Sequence, residues 1–294
     1  MYNRLKRIIS NPEESYYNYL ARQPMKLFAQ NSKLATRQGF DDVKFVLSFD
    51  CDTPEDIEVA IEVHNTLKQI GVLPVYAVPC ELIQQGLDVY SEIRDSGAEF
   101  INHGYRSHTY WDEKAAEYKS NFFYDQQDRA LLVEDITKGH QYLTQFLGEE
   151  PKGFRTPHFG TFQKKEELGF LYSTLRDLGV SYSSSTLPKN GFKYGPMYLD
   201  RGIYEFPVTG RVNDPLLILD SWAFFASPTR QSSPKEYLSE IKKMTDIYSQ
   251  NGTGLINIYA DPCHIAGQDN FFAAIQLLAE KFQSTSYRNL IEVS

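Results

Sequence analysis

The stretch FVLSFDCDTPED, residues 45–56, runs a block of mostly apolar residues into two aspartates that are one residue apart. Extended by the two residues before it, VKFVLSFD has the continuous apolar character of a strand that is buried on both faces. Thr53 then offers an N-cap, and Pro54 suits the first position of a helix. Because side chains alternate along an extended segment, Asp50 and Asp52 point to the same side. The stretch predicts a strand-to-helix unit that delivers two carboxylates to one place.

The same alternation recurs along the rest of the chain. Six further apolar segments have strand character, at residues 72–79, 98–104, 152–160, 180–186, 216–225 and 254–262. Amphipathic segments of helical length separate most of them, at residues 81–97, 128–148, 164–179, 234–252 and 270–282. About seven strands with interleaved helices predict an α/β fold close to a (β/α) barrel. We expect residues 1–40 to form a tyrosine-rich helical arm packing on the barrel, and residues 41–294 to form the barrel domain.

Composition excludes several classes of protein. The chain of 294 residues is 41% hydrophobic and 23% charged, which is ordinary for a soluble globular protein. Its formal net charge of -8 disfavours binding to nucleic acid, because neutralising phosphates requires clustered Lys and Arg. No apolar run approaches the ~20 residues that a membrane-spanning helix needs. Three cysteines form neither a disulfide framework nor a paired zinc motif, so we expect a reducing compartment and a cytoplasmic protein.

Four of the six histidines lie at or just after predicted strand ends: His103, His108, His158 and His264. In a barrel these ends converge on one face together with Asp50 and Asp52. One Asp with two His is a common ligand set for a catalytic divalent cation such as Zn²⁺, and a second carboxylate beside it can act as a base. The acidic pair taken alone would also fit simple capping of the following helix.

The motifs SFDCDT, GAEFINHGYRSH and GFRTPHFG, followed by a late strand ending in His, resemble those of the polysaccharide deacetylase superfamily. This superfamily is also called the NodB homology or carbohydrate esterase family 4 group. The resemblance spans residues 44 to about 270 in the expected order. It implies a deformed (β/α) barrel of NodB type and metal-dependent hydrolysis of an N-acyl group from a sugar or related amide.

The resemblance also implies a role for each matching position. Asp50 resembles the general base, Arg155 the arginine that orients this base, and His264 the general acid. The metal ligands, most simply for Zn²⁺, would be Asp52, His103 and His108.

The chain departs from the family pattern in three ways. Four residues separate His103 from His108, where the family usually has three, so one residue must bulge for His108 to reach the metal. Ser183 replaces an acid that would support the arginine. The late motif reads ADPCHIAG, which leaves Asp261 and Cys263 near His264.

Three further residues are candidates for contact with a substrate. Tyr105 and Trp111 follow His103 in a predicted loop and have rings that can stack on a sugar, although simple packing explains such aromatics equally well. His158 is an additional imidazole that fits a substrate contact, a metal ligand or a hydrogen-bonding support.

We therefore predict a cytoplasmic metal-dependent deacetylase or amidohydrolase, acting on carbon–nitrogen bonds other than peptide bonds. Its substrate would be a small or nucleotide-linked sugar that loses an acetyl or formyl group during surface-glycan biosynthesis. Hydrolysis of a non-sugar amide or cyclic imide is one alternative, and a non-catalytic carbohydrate-binding descendant is another. We expect no nucleic-acid partner and no membrane span, and the N-terminal arm makes a homo-oligomer possible.

Overall fold

The computed structural model describes residues 12–229 and 232–292. The first eleven residues of the predicted arm and the last two of the predicted barrel therefore lie outside the described residues, as do residues 230 and 231. No helix in the described part of the chain is long and apolar enough to cross a lipid bilayer.

Strands and helices alternate along most of the chain. The strands are β1 (Val43–Asp50), β2 (Val75–Val78), β3 (Phe100–Asn102), β4 (Thr109–Asp112), β5 (Glu117–Ser120), β6 (Gly153–Phe154), β7 (Tyr182–Ser183), β8 (Tyr198–Asp200), β9 (Ile203–Glu205), β10 (Gly254–Ala260) and β11 (Gln283–Ser284). The helices are α1 (Pro12–Leu20), α2 (Pro24–Arg37), α3 (Pro54–Gln69), α4 (Cys80–Gln85), α5 (Leu87–Asp95), α6 (Arg129–Leu147), α7 (Lys165–Asp177), α8 (Pro188–Tyr194), α9 (Pro234–Asn251), α10 (Pro262–Ile265), α11 (Asp269–Lys281) and α12 (Tyr287–Glu292).

The main sheet has nine strands and curls into a deformed barrel. Its order is β10-β1-β2-β3-β6-β7-β9-β8. The ninth strand, β11, lies outside this path and pairs with β1. Seven strands in this path, from β10 to β9, are mutually parallel, and β8 runs antiparallel to β9. The predicted fold class, an α/β deformed barrel with about seven strands, is confirmed.

Strand β1 shows why the sequence specifies this arrangement. Phe45, Leu47 and Phe49 belong to the core cluster between the sheet and the helices, whereas Val46 belongs to the cluster inside the barrel. Full burial of each of these side chains contributes about 1.5–3 kcal/mol. The inward-facing register that contains Val46 continues with two polar residues, Ser48 and Asp50. The strand therefore changes from an apolar interior to a polar one at its carboxyl end.

A segment after β9 reaches back to the first strand of the sheet. Thr209 N donates a hydrogen bond to Asn257 O in β10 at 2.8 Å, and Asn257 N donates to Thr209 Oγ1 at 2.8 Å. These contacts connect the two sides of the curled sheet through a loop where a regular barrel would have another strand pair. The interior is thereby enclosed.

The helix α2 packs across the amino-terminal end of the barrel. Asn31 Nδ2 donates to Gly191 O at 2.8 Å, and its Oδ1 accepts from Tyr248 OH at 3.2 Å. The ring of Phe28 meets Phe192 edge-on, with a centroid distance of 5.3 Å. This helix covers the end of the barrel that lies opposite the carboxyl ends of the strands.

One predicted strand is wrong. Residues 216–225 form no strand of the sheet, and the segment Trp222–Ala226 is a turn of π-helix whose Phe224 and Phe225 pack against Tyr237. A short apolar run does not by itself distinguish a buried strand from a buried helical turn.

Candidate active site

The carboxyl end of β1 places Asp50 against a buried arginine. Arg155 Nη1 lies 2.6 Å from Asp50 Oδ1, and both side chains are almost fully removed from solvent. Arg155 follows β6 directly, so two neighbouring strand ends supply the two charges. Burial raises the pKa of Asp50, and the Arg155 guanidinium opposes that shift. A carboxylate whose pKa is raised above its ordinary value is a stronger base and is better suited to accepting a proton from water.

The remaining N–H groups of the Arg155 guanidinium also donate hydrogen bonds. Arg155 Nη1 donates to Ser48 Oγ at 2.9 Å, Nε to Ser184 O at 3.0 Å, and Nη2 to Ser184 Oγ at 3.0 Å and Tyr287 OH at 2.8 Å. Tyr287 OH donates in turn to Asn257 Oδ1 at 2.7 Å. This network fixes the plane of the guanidinium and therefore the position of Asp50.

Near position 183, where the family has an acid, the structure places a carboxylate from another strand. Ser183 Oγ donates to Ser185 Oγ, and the nearby carboxylate is that of Glu205 at the end of β9. Glu205 Oε1 accepts from the backbone N–H groups of Ser185 and Thr186 at 2.8 and 2.9 Å. This carboxylate orders the serine-rich segment that contacts Arg155.

Asp52, His103 and His108 form a cluster, here called the ligand cluster, that could hold a metal ion. One ligand atom from each of the three lies within 4.8 Å of the other two. His108 Nε2 lies 2.8 Å from Asp52 Oδ1, and His103 Nε2 lies 3.4 Å from the same oxygen. Ligand atoms that are each about 2 Å from one cation are separated by distances of this size.

The protonation of His103 tests whether a cation fits this cluster. Its Nδ1 lies 2.9 Å from the carbonyl oxygen of Arg155, which can only accept, so Nδ1 carries a proton. In the neutral imidazole, Nε2 then presents a lone pair toward Asp52, and this buried atom has no hydrogen-bond partner. A lone pair facing a carboxylate is repulsive unless a proton or a metal cation lies between them. The donor set therefore fits a divalent cation, and one Asp with two His suits Zn²⁺.

The longer spacing between the two histidines is accommodated by a bulge. Gly104 takes a φ of +82°, a conformation that favours glycine, and the chain then returns His108 to Asp52. Thr109 Oγ1 donates to Asp52 O at 2.7 Å and fixes the other side of the turn.

His264 lies in the same cleft, paired with an acid on its own turn. Its Nδ1 lies 2.9 Å from Asp261 Oδ2, and Ser221 Oγ donates to that same oxygen at 2.9 Å. Burial lowers the pKa of His264. The carboxylates of Asp261, Asp56 and Asp220 outweigh this effect and raise the pKa to about 9. The imidazole is therefore protonated at neutral pH, as a proton donor must be.

An open cleft of about 660 Å³ connects these groups. Its lining residues include seven acids: Asp50, Asp52, Glu55, Asp56, Glu117, Asp220 and Asp261. Aromatic walls are provided by Tyr118, Phe123, Phe159, Trp222 and Tyr259. Among the described residues, no lysine or arginine lines the cleft.

The three predicted substrate contacts lie in different places. His158 lines the cleft, its ring centroid 5.0 Å from that of His108 and its Nε2 2.8 Å from Asn121 O. Tyr105 does not line it, because its ring lies under Lys138 and its hydroxyl accepts from Gln84. Trp111 does not line it directly, but its ring packs on Tyr118, which does.

Several residues around the site were not predicted from the sequence. Tyr287 and Asn257 hold Arg155 from the last helix and from β10, and Glu205 orders the serine segment. Asp56 Oδ2 accepts from the backbone N–H groups of Asp52 and Thr53, both at 3.0 Å. For Asp56 a signal was present, since an acid three residues after an N-cap Thr is typical of a capping box.

No protein-family model and no curated protein matches the sequence. Solved structures do match. A predicted polysaccharide deacetylase from Mycobacterium smegmatis is 16% identical, with a TM-score of 0.62 over 86% of this chain and 90% of that one. An allantoinase, PuuE, is 14% identical, with a TM-score of 0.63 over 85% and 89%. A carbohydrate esterase family 4 pseudoenzyme from Bacillus anthracis is 11% identical, with a TM-score of 0.51 over 84% and 65%.

These three structures differ in what their names say they do, but they share one architecture with this chain. At such identities the similarity concerns the fold. The chain therefore has the NodB-type fold seen in the polysaccharide deacetylases.

Proposed function

We propose that the protein is a metal-dependent hydrolase that removes an acetyl or formyl group from the amino group of a sugar. One observation carries the proposal. The ligand cluster brings three potential ligand atoms within 4.8 Å of one another, and its Asp52 lines the cleft that Asp50 and His264 also line. The resemblance of the sequence motifs assigns the same residues to the same roles.

The residues divide the chemistry between them. A bound divalent cation, held by Asp52, His103 and His108, would polarise the acyl carbonyl and lower the pKa of a water molecule. Asp50, held by Arg155, would take the proton from that water. His264, protonated through its pairing with Asp261, would give a proton to the leaving amine.

The cleft favours an uncharged sugar. Seven acids line it, so a nucleotide-linked sugar would bring its phosphates into a negative field without a described lysine or arginine to neutralise them. The aromatic walls suit stacking on a pyranose ring. Of the two predicted substrates, we therefore propose the small sugar rather than the nucleotide-linked one. A role in surface-glycan synthesis, a cytoplasmic location and self-association stay predictions.

A small non-sugar amide or cyclic imide is the second candidate substrate. The fold similarity to an allantoinase equals that to a predicted deacetylase, and an uncharged ring of that kind also suits the cleft. The non-catalytic alternative has less support, because the candidate base Asp50, the candidate acid His264 and the candidate ligand Asp52 line the same cleft.

The test combines zinc content with activity. Wild type, Asp50→Asn and His103→Ala are assayed with N-acetyl and N-formyl amino sugars, free, glycan-linked and nucleotide-linked, and with allantoin. We expect Asp50→Asn to keep its zinc and lose about 10²–10⁴-fold in rate, the usual contribution of a general base. His103→Ala should lose both. Equal zinc content in wild type and His103→Ala would refute the proposal, and turnover of allantoin alone would replace the sugar by the imide.

A further inference from the structure

The four residues that connect the two histidines of the ligand cluster, here called the connecting loop (residues 104–107), are held by side chains. Every backbone N–H of this loop donates to a side-chain oxygen. Gly104 N donates to Asn102 Oδ1 at 3.0 Å, and Ser107 N donates to Glu81 Oε2 at 2.7 Å. Tyr105 N and Arg106 N both donate to Asp135 Oδ1, at 3.2 and 2.9 Å. All four backbone N–H groups of the connecting loop are therefore hydrogen-bonded, and the loop has a defined conformation.

Asp135 is the central acceptor of this arrangement. It lies on α6, its side chain is 1% exposed, and its second oxygen accepts from Tyr124 OH at 2.7 Å. The Arg106 guanidinium Nε lies 3.8 Å from Oδ1. A buried carboxylate that is satisfied from both oxygens has one orientation, and the loop must adopt the conformation that matches it.

Close contacts leave the loop no alternative position. A Cβ at Gly104 would lie 2.4 Å from Asp135 Oδ2, and one at Gly139, a turn further along α6, would lie 2.8 Å from the backbone carbon of Gly104. On the opposite side, Cys80 N and Glu81 N at the start of α4 donate to the carbonyls of Gly104 and Tyr105 at 3.2 and 3.0 Å. The loop is therefore clamped between α4 and α6.

We propose that Asp135, assisted by Glu81, is a positioning residue that makes the longer histidine spacing compatible with a metal site. The inference rests on the proposed function, since it concerns the same ligand cluster. Among the described residues, no hydrogen bond or ion pair joins Asp135 to Asp52, His103 or His108, so Asp135 would act through the backbone that carries His108. Its removal should weaken zinc binding by releasing one ligand while the other two stay in place.

The test measures the zinc dissociation constant of purified protein by competition with a chromogenic chelator. We expect Asp135→Ala to raise this constant about 10–100-fold, the range found when a supporting group behind a metal ligand is removed. Asp135→Asn retains an oxygen that accepts both N–H groups and should stay within about threefold of wild type. Glu134→Ala is the matched control, because the one hydrogen bond of the Glu134 side chain among the described residues is with the side chain of Arg106, at 3.0 Å.

A double-mutant cycle separates positioning from general loss of structure. If Asp135 acts through His108, then Asp135→Ala should change zinc affinity less than about twofold in a His108→Ala background. An equal loss in both backgrounds would overturn the inference. Should Asp135→Ala fail to fold, Glu81→Ala and Glu81→Gln provide the same comparison on the other side of the loop.

The outcomes distinguish this inference from the proposed function. Wild type that binds zinc no better than His103→Ala would overturn both. Wild type that binds zinc, with Asp135→Ala and Glu81→Ala binding equally well, would overturn the inference alone and leave the proposed function standing.

Discussion

The Asp50–Arg155 pair and the ligand cluster, the two halves of the site, differ in how completely their polar atoms are hydrogen-bonded. Around the Asp50–Arg155 pair, the guanidinium donors and the Tyr287 hydroxyl have partners within the protein. In the ligand cluster, His103 Nε2 and His108 Nδ1 are buried without a hydrogen-bond partner. The first half is complete in the protein alone and should be rigid before any ligand arrives. In the second half the lone pair of His103 Nε2 stays without a partner until a cation is bound, so stability and metal binding should respond differently to changes in each half.

The largest effect is expected from breaking the completed half. Arg155→Met would leave Asp50 buried without its partner, and such a loss typically costs about 3–5 kcal/mol in the free energy of unfolding. Urea denaturation measures this change. The double variant Asp50→Asn with Arg155→Met should recover part of the loss, because it leaves no unpaired charge. A loss below about 1 kcal/mol for the single variant would show that the pair is not structurally important.

A smaller effect should come from filling the incomplete half. Zinc at a free concentration 100 times its dissociation constant should raise the free energy of unfolding by about 2.7 kcal/mol, because it binds only the folded state. Paired denaturation curves with zinc and with a chelator measure this difference. Asp50→Asn should retain the gain and His103→Ala should not. A gain that survives in His103→Ala would place the bound ion somewhere else.

The fold was accessible from sequence because its signals are local. Continuous apolar runs and helix caps, as at β1 and Thr53, need no knowledge of distant residues. The strand predicted at residues 216–225 was wrong because a local apolar run does not show which element buries it. Here the run is buried in a helical turn against α9. Strands β6 and β7 have only two residues each and left little periodic signal.

In the site, too, residues within local motifs could be predicted from the sequence, whereas their distant partners could not. Ordered motifs predicted that Asp50, Asp52 and four histidines lie near one another, because the ends of parallel strands converge. In the structure Asp52, His103 and His108 lie together, and the role of each stays a prediction. The partners of Arg155 were inaccessible, since Tyr287 lies 132 residues away and on a helix with no distinctive motif. Likewise, no pattern in the sequence links Asp135 on α6 to the connecting loop.

The smallest effect concerns the acid that faces both halves across the cleft. His264 has a pKa of about 9 in the folded protein, above its ordinary value of ~6.5, so its proton is present at neutral pH and is lost as the pH rises through 9. The rate should therefore fall above pH 9. Asp261→Asn should move that limb toward the ordinary value and reduce the rate about tenfold at pH 7.5. A pH–rate profile of both proteins measures this, and an unmoved limb would argue against His264 as the acid.

The β4–β5 hairpin forms a two-stranded sheet of its own, separate from the main sheet. Its base is tied at both ends, by Thr109 to the backbone of Asp52 and by Asn121 N to His108 O at 2.8 Å. Its outer residues, Trp111 among them, are exposed and contribute little to the packing of the barrel. Because Glu117 and Tyr118 of this hairpin line the cleft, a change in the length or sequence of its tip would alter which substrates the cleft admits, while the anchored base keeps Asp52 and His108 in register.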